Sequence, residues 1–254
     1  MQDPLTSRTT VLSSDSCQVV ELRRYALHPG QRDTLIELFD RELVETQEAV
    51  GMRLLGQFRD IDHPDSFVWI RGFADMETRK QALECFYGGP VWKEHARAAN
   101  ATMIDSDNVL LLRPIFPLEL DTSRRPPPGS TESQPGLLVV TIYPLAEPAA
   151  GAFPAYFLRE LEPALRQADI SVLATYATEH SRNTFPALPV RDDEDVFVWI
   201  TMFADEADHE RRVAELKRSP AWRDRISQAL GRQLGGQAEV LRLTPTPRSL
   251  LHGQ

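Results

Sequence analysis

Glu21, Arg23 and Tyr25 recur two residues apart in "VVELRRYAL" (19–27), and Trp69 and Arg71 have the same spacing in "FVWIRGF" (67–73). A period of two is the period of a strand, so each set shares one face of a sheet. Arginines on such a face can bind an anion through charge-assisted hydrogen bonds. A tyrosine hydroxyl can donate another, and a tryptophan provides a flat apolar wall. Glu21, or His28 at the end of the strand, could move a proton. The same residues admit a second reading, in which Glu21, Arg23 and Arg71 form a salt-bridged network that joins two sheets and Trp69 is packing. Both readings require the charged side chains to touch, because buried charges persist only when paired.

Other constellations are absent from the sequence. No HxxxH, HExxH or CxxC spacing occurs, so no structural zinc site is expected. There is no phosphate-cradling glycine loop and no nucleophile-elbow spacing. Cys17 and Cys85 are too few for a disulfide framework and are expected to be unbridged, in keeping with a cytoplasmic protein. The net charge of −9, from 37 acidic and 28 basic residues, opposes nucleic-acid binding. The short basic clusters at 23–25, 124–125 and 211–212 read as solvated. No apolar run approaches the ~20 residues of a membrane-spanning helix, so no membrane insertion is expected. The opening "MQDPLTSRTTVLSSDSCQ" lacks a basic start and an apolar core, and reads as a polar tail.

The elements that must position these residues occur twice. "FVWIRGFAD" (67–75) returns as "FVWITMFAD" (197–205), 130 residues later, and Pro90 and Trp92 return as Pro220 and Trp222. "VLLLRP" (109–114) returns as "VLRLTP" (240–245). At the front the shift is only 118, matching Tyr25 to Tyr143, so the second copy holds about 12 extra residues, assigned to "TEHSRNTFPALPVRDDED" (178–195). Between the copies, "LDTSRRPPPGSTESQPG" (120–136) has linker composition. Each copy reads as strand, helix, strand, strand, helix, strand, the ferredoxin-like order. The first helix carries Leu35, Leu38, Phe39 and Leu43 at helical spacing and ends at Gly51. Its counterpart is expected to be shorter or kinked at Pro154 and Pro163.

The sum of "VVELRRYAL", "LLGQF", "FVWIRGFAD", "PVWKEH" and "VLLLRP" resembles the NIPSNAP family over residues 17–117, and residues 137–246 resemble a more divergent member. The resemblance implies the dimeric α/β-barrel superfamily. The expected fold is therefore α+β: two tandem ferredoxin-like units, joined by a linker at 118–136 and packed sheet to sheet as an intrachain dimeric α/β barrel around a cavity.

Small and branched residues suit helix packing, so Val20, Leu22, Val68 and Ile70 are assigned to the helix side. Glu21, Arg23, Tyr25, Trp69 and Arg71 are assigned to the cavity, with Arg113 beside them and Tyr143, Trp199, Thr141 and Thr201 opposite. On this reading the ligand is a small, aromatic molecule. The resemblance then implies a cofactor-independent monooxygenase, isomerase or cyclase, with His28 or Glu21 as the proton-moving group. No cofactor is expected on that account. A haem-dependent relative is a further alternative, with His28, His95 or His180 as the iron ligand. A non-catalytic interaction module is another, and a homodimer is a natural assembly.

Overall fold

The computed structural model describes residues 17–118 and 120–253. The order β-α-β-β-α-β runs twice along them. The first half comprises β1 (Val19–Leu27), α1 (Arg32–Leu38), α2 (Val44–Glu48), β2 (Arg53–Asp60), β3 (Ser66–Phe73), α3 (Met76–Gly88), α4 (Pro90–Asn100) and β4 (Met103–Phe116). The second half comprises β5 (Leu137–Pro144), α5 (Phe153–Tyr156), α6 (Glu162–Gln167), β6 (Val172–Thr178), β7 (Val196–Phe203), α7 (Glu206–Arg218), α8 (Ser227–Gly231) and β8 (Glu239–Pro245).

The repeated "FAD" phrase has a local cause. Its Asp follows a strand and caps the next helix: Asp75 accepts from the Thr78 N–H at 2.7 Å, and Asp205 from the Asp208 N–H at 2.8 Å. An N-cap carboxylate satisfies one of the amides that the first turn leaves unpaired. Pro90 then opens α4, where its missing N–H costs nothing.

All eight strands close into one antiparallel barrel in the order β1-β3-β2-β8-β5-β7-β6-β4. Two seams join the halves. At one, Phe58, Arg59 and Asp60 of β2 face Pro245, Thr244 and Leu243 of β8. At the other, β4 pairs with β6 from Leu112↔Thr178 to Phe116↔Thr175. The chain after β8 strengthens the first seam, with Thr246 N–H donating to the Gln57 carbonyl and Leu251 N–H to the Leu55 carbonyl.

The barrel interior is one apolar cluster drawn from both halves, including Val20, Leu22, Val68, Ile70, Val140, Val198 and Leu243. Its content corrects the expected cavity between two sheets, because that space is filled by side chains. The face assignment is corrected with it. The interior of an eight-stranded barrel is just wide enough for side chains to fill, and here branched aliphatics fill it. The wider layer between sheet and helices takes the large residues, and there Tyr25, Phe67 and Trp69 pack with Leu35, Phe39 and Leu83.

Each half breaks its first helix with a π turn at the corresponding place, Phe39–Leu43 and Phe157–Leu161. Pro163 lies after the second turn, and the first has no proline, so the interruption belongs to the architecture rather than to a proline kink. In both halves the turn presents a phenylalanine to the sheet. Phe39 stands 4.9 Å from Trp69, and Phe157 stands 5.9 Å from Trp199.

The segment at 120–136 is not merely a tether. Arg125 is largely buried and bonds Glu48 and the Leu54 carbonyl at 2.6 Å each, so it is not the solvated cation its cluster suggests. Cys17 and Cys85 are both free.

Candidate functional site

Strand alternation places Glu21, Arg23 and Tyr25 of β1 and Trp69 and Arg71 of β3 on the helix-facing side of the first half. The register sets Glu21 opposite Arg71 and Arg23 opposite Trp69. The structure therefore brings the five residues together, but between sheet and helices rather than inside the barrel.

Glu21 is the hub. Its Oε2 accepts from Arg23 Nη1 at 2.8 Å and from Arg71 Nε at 2.7 Å, and its Oε1 accepts from Arg79 Nε of α3 at 2.7 Å. Glu21, Arg23, Arg71 and Arg79 are all at most 1% exposed. Around them, Arg23 Nε donates to the Tyr25 hydroxyl at 3.1 Å and Arg71 Nη1 to Gln47 Oε1 at 3.1 Å. The Trp69 indole lies 5.5 Å from the Arg23 guanidinium carbon and 4.9 Å from that of Arg71. Such cation–π contacts strengthen when desolvated.

Three guanidiniums around one carboxylate leave an excess of two positive charges in a dry layer. Burial alone would push the Glu21 carboxyl up, but Arg71, Arg23 and Arg79 outweigh it and hold the group well below the usual carboxylate range. A carboxylate so stabilised is a poor proton acceptor, which corrects its assignment as a base. Burial pushes the Tyr25 phenol up, keeping it a neutral hydroxyl.

The second half supplies the roof. Arg79 Nη1 donates to Asn183 Oδ1 at 3.1 Å, and the Thr184 hydroxyl donates to the Met76 carbonyl at 3.3 Å. Phe185 stacks on Tyr87 of α3, with ring centroids 5.8 Å apart and planes 25° apart. Leu188 and Val190 pack on the same first-half core. Asn183 also lines a surface pocket of about 490 Å³ together with Glu179, His180, Arg182 and Asp192. The inserted segment thus lies between this pocket and the arginine cluster.

The remaining candidates do not join the cluster. His28 is exposed at the end of β1, where its N–H bonds the Thr102 carbonyl. His95 lies 3.7 Å from Glu42, and His180, largely exposed, lies 3.2 Å from Asp195. Arg113 is exposed. Tyr143 and Trp199 occupy the equivalent layer of the second half, among Val139, Phe153, Phe157 and Phe197. Burial pushes the Tyr143 phenol up to about 12. Among the described residues, no group of three or more His, Cys, Asp or Glu side chains is placed to hold a metal, and no helix is long and apolar enough to cross a membrane.

The sequence reading missed Arg79 and Gln47. Arg79, Ala82, Leu83 and Phe86 fall at i, i+3, i+4 and i+7, a helical buried stripe, and Gln47 follows Leu43 by four. A polar residue on an apolar stripe is the signal that could have found both.

Residues 20–116 match the NIPSNAP family. No curated protein matches the chain. Among solved structures, the chain is similar to a candidate monooxygenase from Fusobacterium nucleatum subsp. nucleatum ATCC 25586, at 10% identity and a TM-score of 0.61, covering 94% of this chain and 97% of that one. It is similar to an anthrone oxidase-like protein at 12% identity and a TM-score of 0.55, covering 96% and 99%. A candidate monooxygenase from Lactobacillus acidophilus NCFM gives 12% identity and a TM-score of 0.54, covering 92% and 99%. At these identities the likeness is one of fold.

Proposed function

Since residues 20–116 form a NIPSNAP domain, we propose that the chain binds a small aromatic acid between the sheet and helices of that domain and oxidises it in the manner of a cofactor-independent monooxygenase. The observation that carries this reading is the excess of guanidinium over carboxylate charge packed against Trp69. Unbalanced buried charge is costly, and an incoming carboxylate or phenolate would offset it. Trp69 and Tyr25 supply flat walls for the ring. The ligand enters when segment 178–195 lifts from Arg79 and Tyr87. The names of the solved neighbours support oxidation as the chemistry, and fold likeness alone does not choose the substrate. In the same reading, residues 17–117 and 137–246 are two ferredoxin-like units fused through 118–136, and the protein works in the cytoplasm.

The test is a titration with 2-naphthoate followed by tryptophan fluorescence. Saturable quenching is expected, and Arg71→Met should weaken it about tenfold or more, the value of a charge-assisted hydrogen bond. No quenching of the unaltered protein would overturn the anion site. Oxygen uptake with anthrone as the probe addresses the chemistry. Binding without uptake of any oxygen would favour a second reading, a non-catalytic interaction module, which the filled barrel interior also supports.

A further inference from the structure

Trp69 has a second flank. Gln57 of β2 stands directly opposite it in register, on the side away from Arg23. Gln57 is fully buried, and neither its Oε1 nor its Nε2 has a hydrogen-bond partner. The Trp69 Nε1–H is also buried without a partner, as is Oδ1 of Asp40. Asp40 follows Phe39, the residue of the π turn whose ring packs on Trp69.

Gln57 and Asp40 are both tied to the segment after β8. The Thr246 N–H bonds the Gln57 carbonyl at 2.9 Å, and the Thr246 hydroxyl sits beside the Asp40 carboxyl. Arg248 Nη1 donates to the Asp40 backbone carbonyl at 2.8 Å, which fixes the turn. Buried polar side chains are nearly always paired, so an amide with both ends unpaired, in register with a tryptophan whose indole N–H is also unpaired, calls for a polar partner, and Asp40 Oδ1 on the adjoining turn is unpaired too. Together they offer one anionic acceptor, one amide that both donates and accepts, and one further donor. That is the complement of a hydroxyl or keto oxygen on a flat ring.

We propose that Asp40, Gln57 and the Trp69 indole N–H form a subsite for the hydroxyl of a hydroxyaromatic acid whose carboxylate occupies the arginine cluster, with Asp40 accepting the hydroxyl's hydrogen bond. The inference rests on the aromatic-acid reading above and adds the second polar end of the ligand. Asp40 is suited to the role. Burial pushes its carboxyl up to about 6, against the opposing pull of Thr246, Arg248 and Arg59. Those are the groups that face it: Thr246 and Arg248 from the chain after β8, the latter paired with Glu45 of α2, and Arg59 from β2, paired with Asp33 of α1. The carboxyl is therefore an anionic acceptor, the stronger kind, only above that range.

The experiment compares 6-hydroxy-2-naphthoate with 2-naphthoate at pH 5 and pH 8 on the full chain. The hydroxylated probe should bind about tenfold more tightly at the higher pH, and the parent acid should change little. Asp40→Asn should remove the hydroxyl's advantage while leaving 2-naphthoate binding in place, and Gln57→Leu should reduce it. If 2-naphthoate binds and the hydroxyl adds no pH-dependent affinity in the unaltered protein, the subsite is overturned and the anion site stands. If neither probe binds, the anion site fails and the subsite falls with it.

Discussion

Where the first half has Glu21, Arg23 and Arg71, the second has Val139, Thr141 and Thr201, in the same register. Glu21 faces Arg71 as Val139 faces Thr201, and Arg23 faces Trp69 as Thr141 faces Trp199. The aromatic frame is common to both halves: Tyr25, Phe39, Phe67 and Trp69 in one, Tyr143, Phe157, Phe197 and Trp199 in the other. At these three positions the second half closes its layer with that frame and small uncharged side chains. The frame is therefore what the architecture needs to join helices to sheet, and the charges are an addition specific to the first half. A buried ion network is weak evidence of stability, since apolar groups of similar volume often do as well or better. Val139, Thr141 and Thr201 show that the same register is filled without any charge in the second half.

The comparison breaks most severely at the hub. Glu21→Gln leaves three guanidiniums buried with no carboxylate, and should cost about 3–5 kcal/mol, read from urea denaturation. The stability that Glu21 contributes is present above its unfolded value of about 4.5 and is lost as pH falls, because the folded protein holds the group lower than that.

Asp40 should behave in the opposite sense. Its folded value of about 6 lies above the ordinary 3.8, so the folded protein binds more protons between those limits and loses stability as pH rises through them. Asp40→Asn should therefore be more stable than the parent by about 3 kcal/mol at pH 8, with the gain gone below about pH 4. Denaturation at the two pH values checks it. The second half, where Leu158 stands at the equivalent position, has no such group.

The smallest expected effect is at the roof. Phe185→Ala removes the stacking on Tyr87 and should cost about 1 kcal/mol. Amide hydrogen exchange should quicken over 183–190 and along α3, while β5 and β7 of the second half keep their protection.

The doubled phrase made the strand order legible, because period-two patterning, the "FAD" cap and Pro90 are local signals that the fold follows. The candidate site was half legible. Glu21, Arg23, Tyr25, Trp69 and Arg71 were grouped by alternation, which the structure keeps. Their direction was inverted, because alternation says which residues share a face and not which face is inside. The choice depends on the width of the closed barrel, a property of eight strands together. Arg79 was visible as a polar residue on a buried stripe. Asp40 was not, since regular helical spacing does not anticipate the π turn that carries it. Thr246 and Asn183 come to the site only through contacts between distant segments.

The inserted segment at 178–195 belongs by sequence to one half and covers the other. In a symmetric pair of separate subunits, such a loop would occur twice and each chamber would be roofed by its neighbour. Joined in one polypeptide, the two halves differ: one carries the charges, and the other carries the loop that closes over them. On the reading proposed above, the stoichiometry is then one ligand per chain, written into the gene rather than set by assembly.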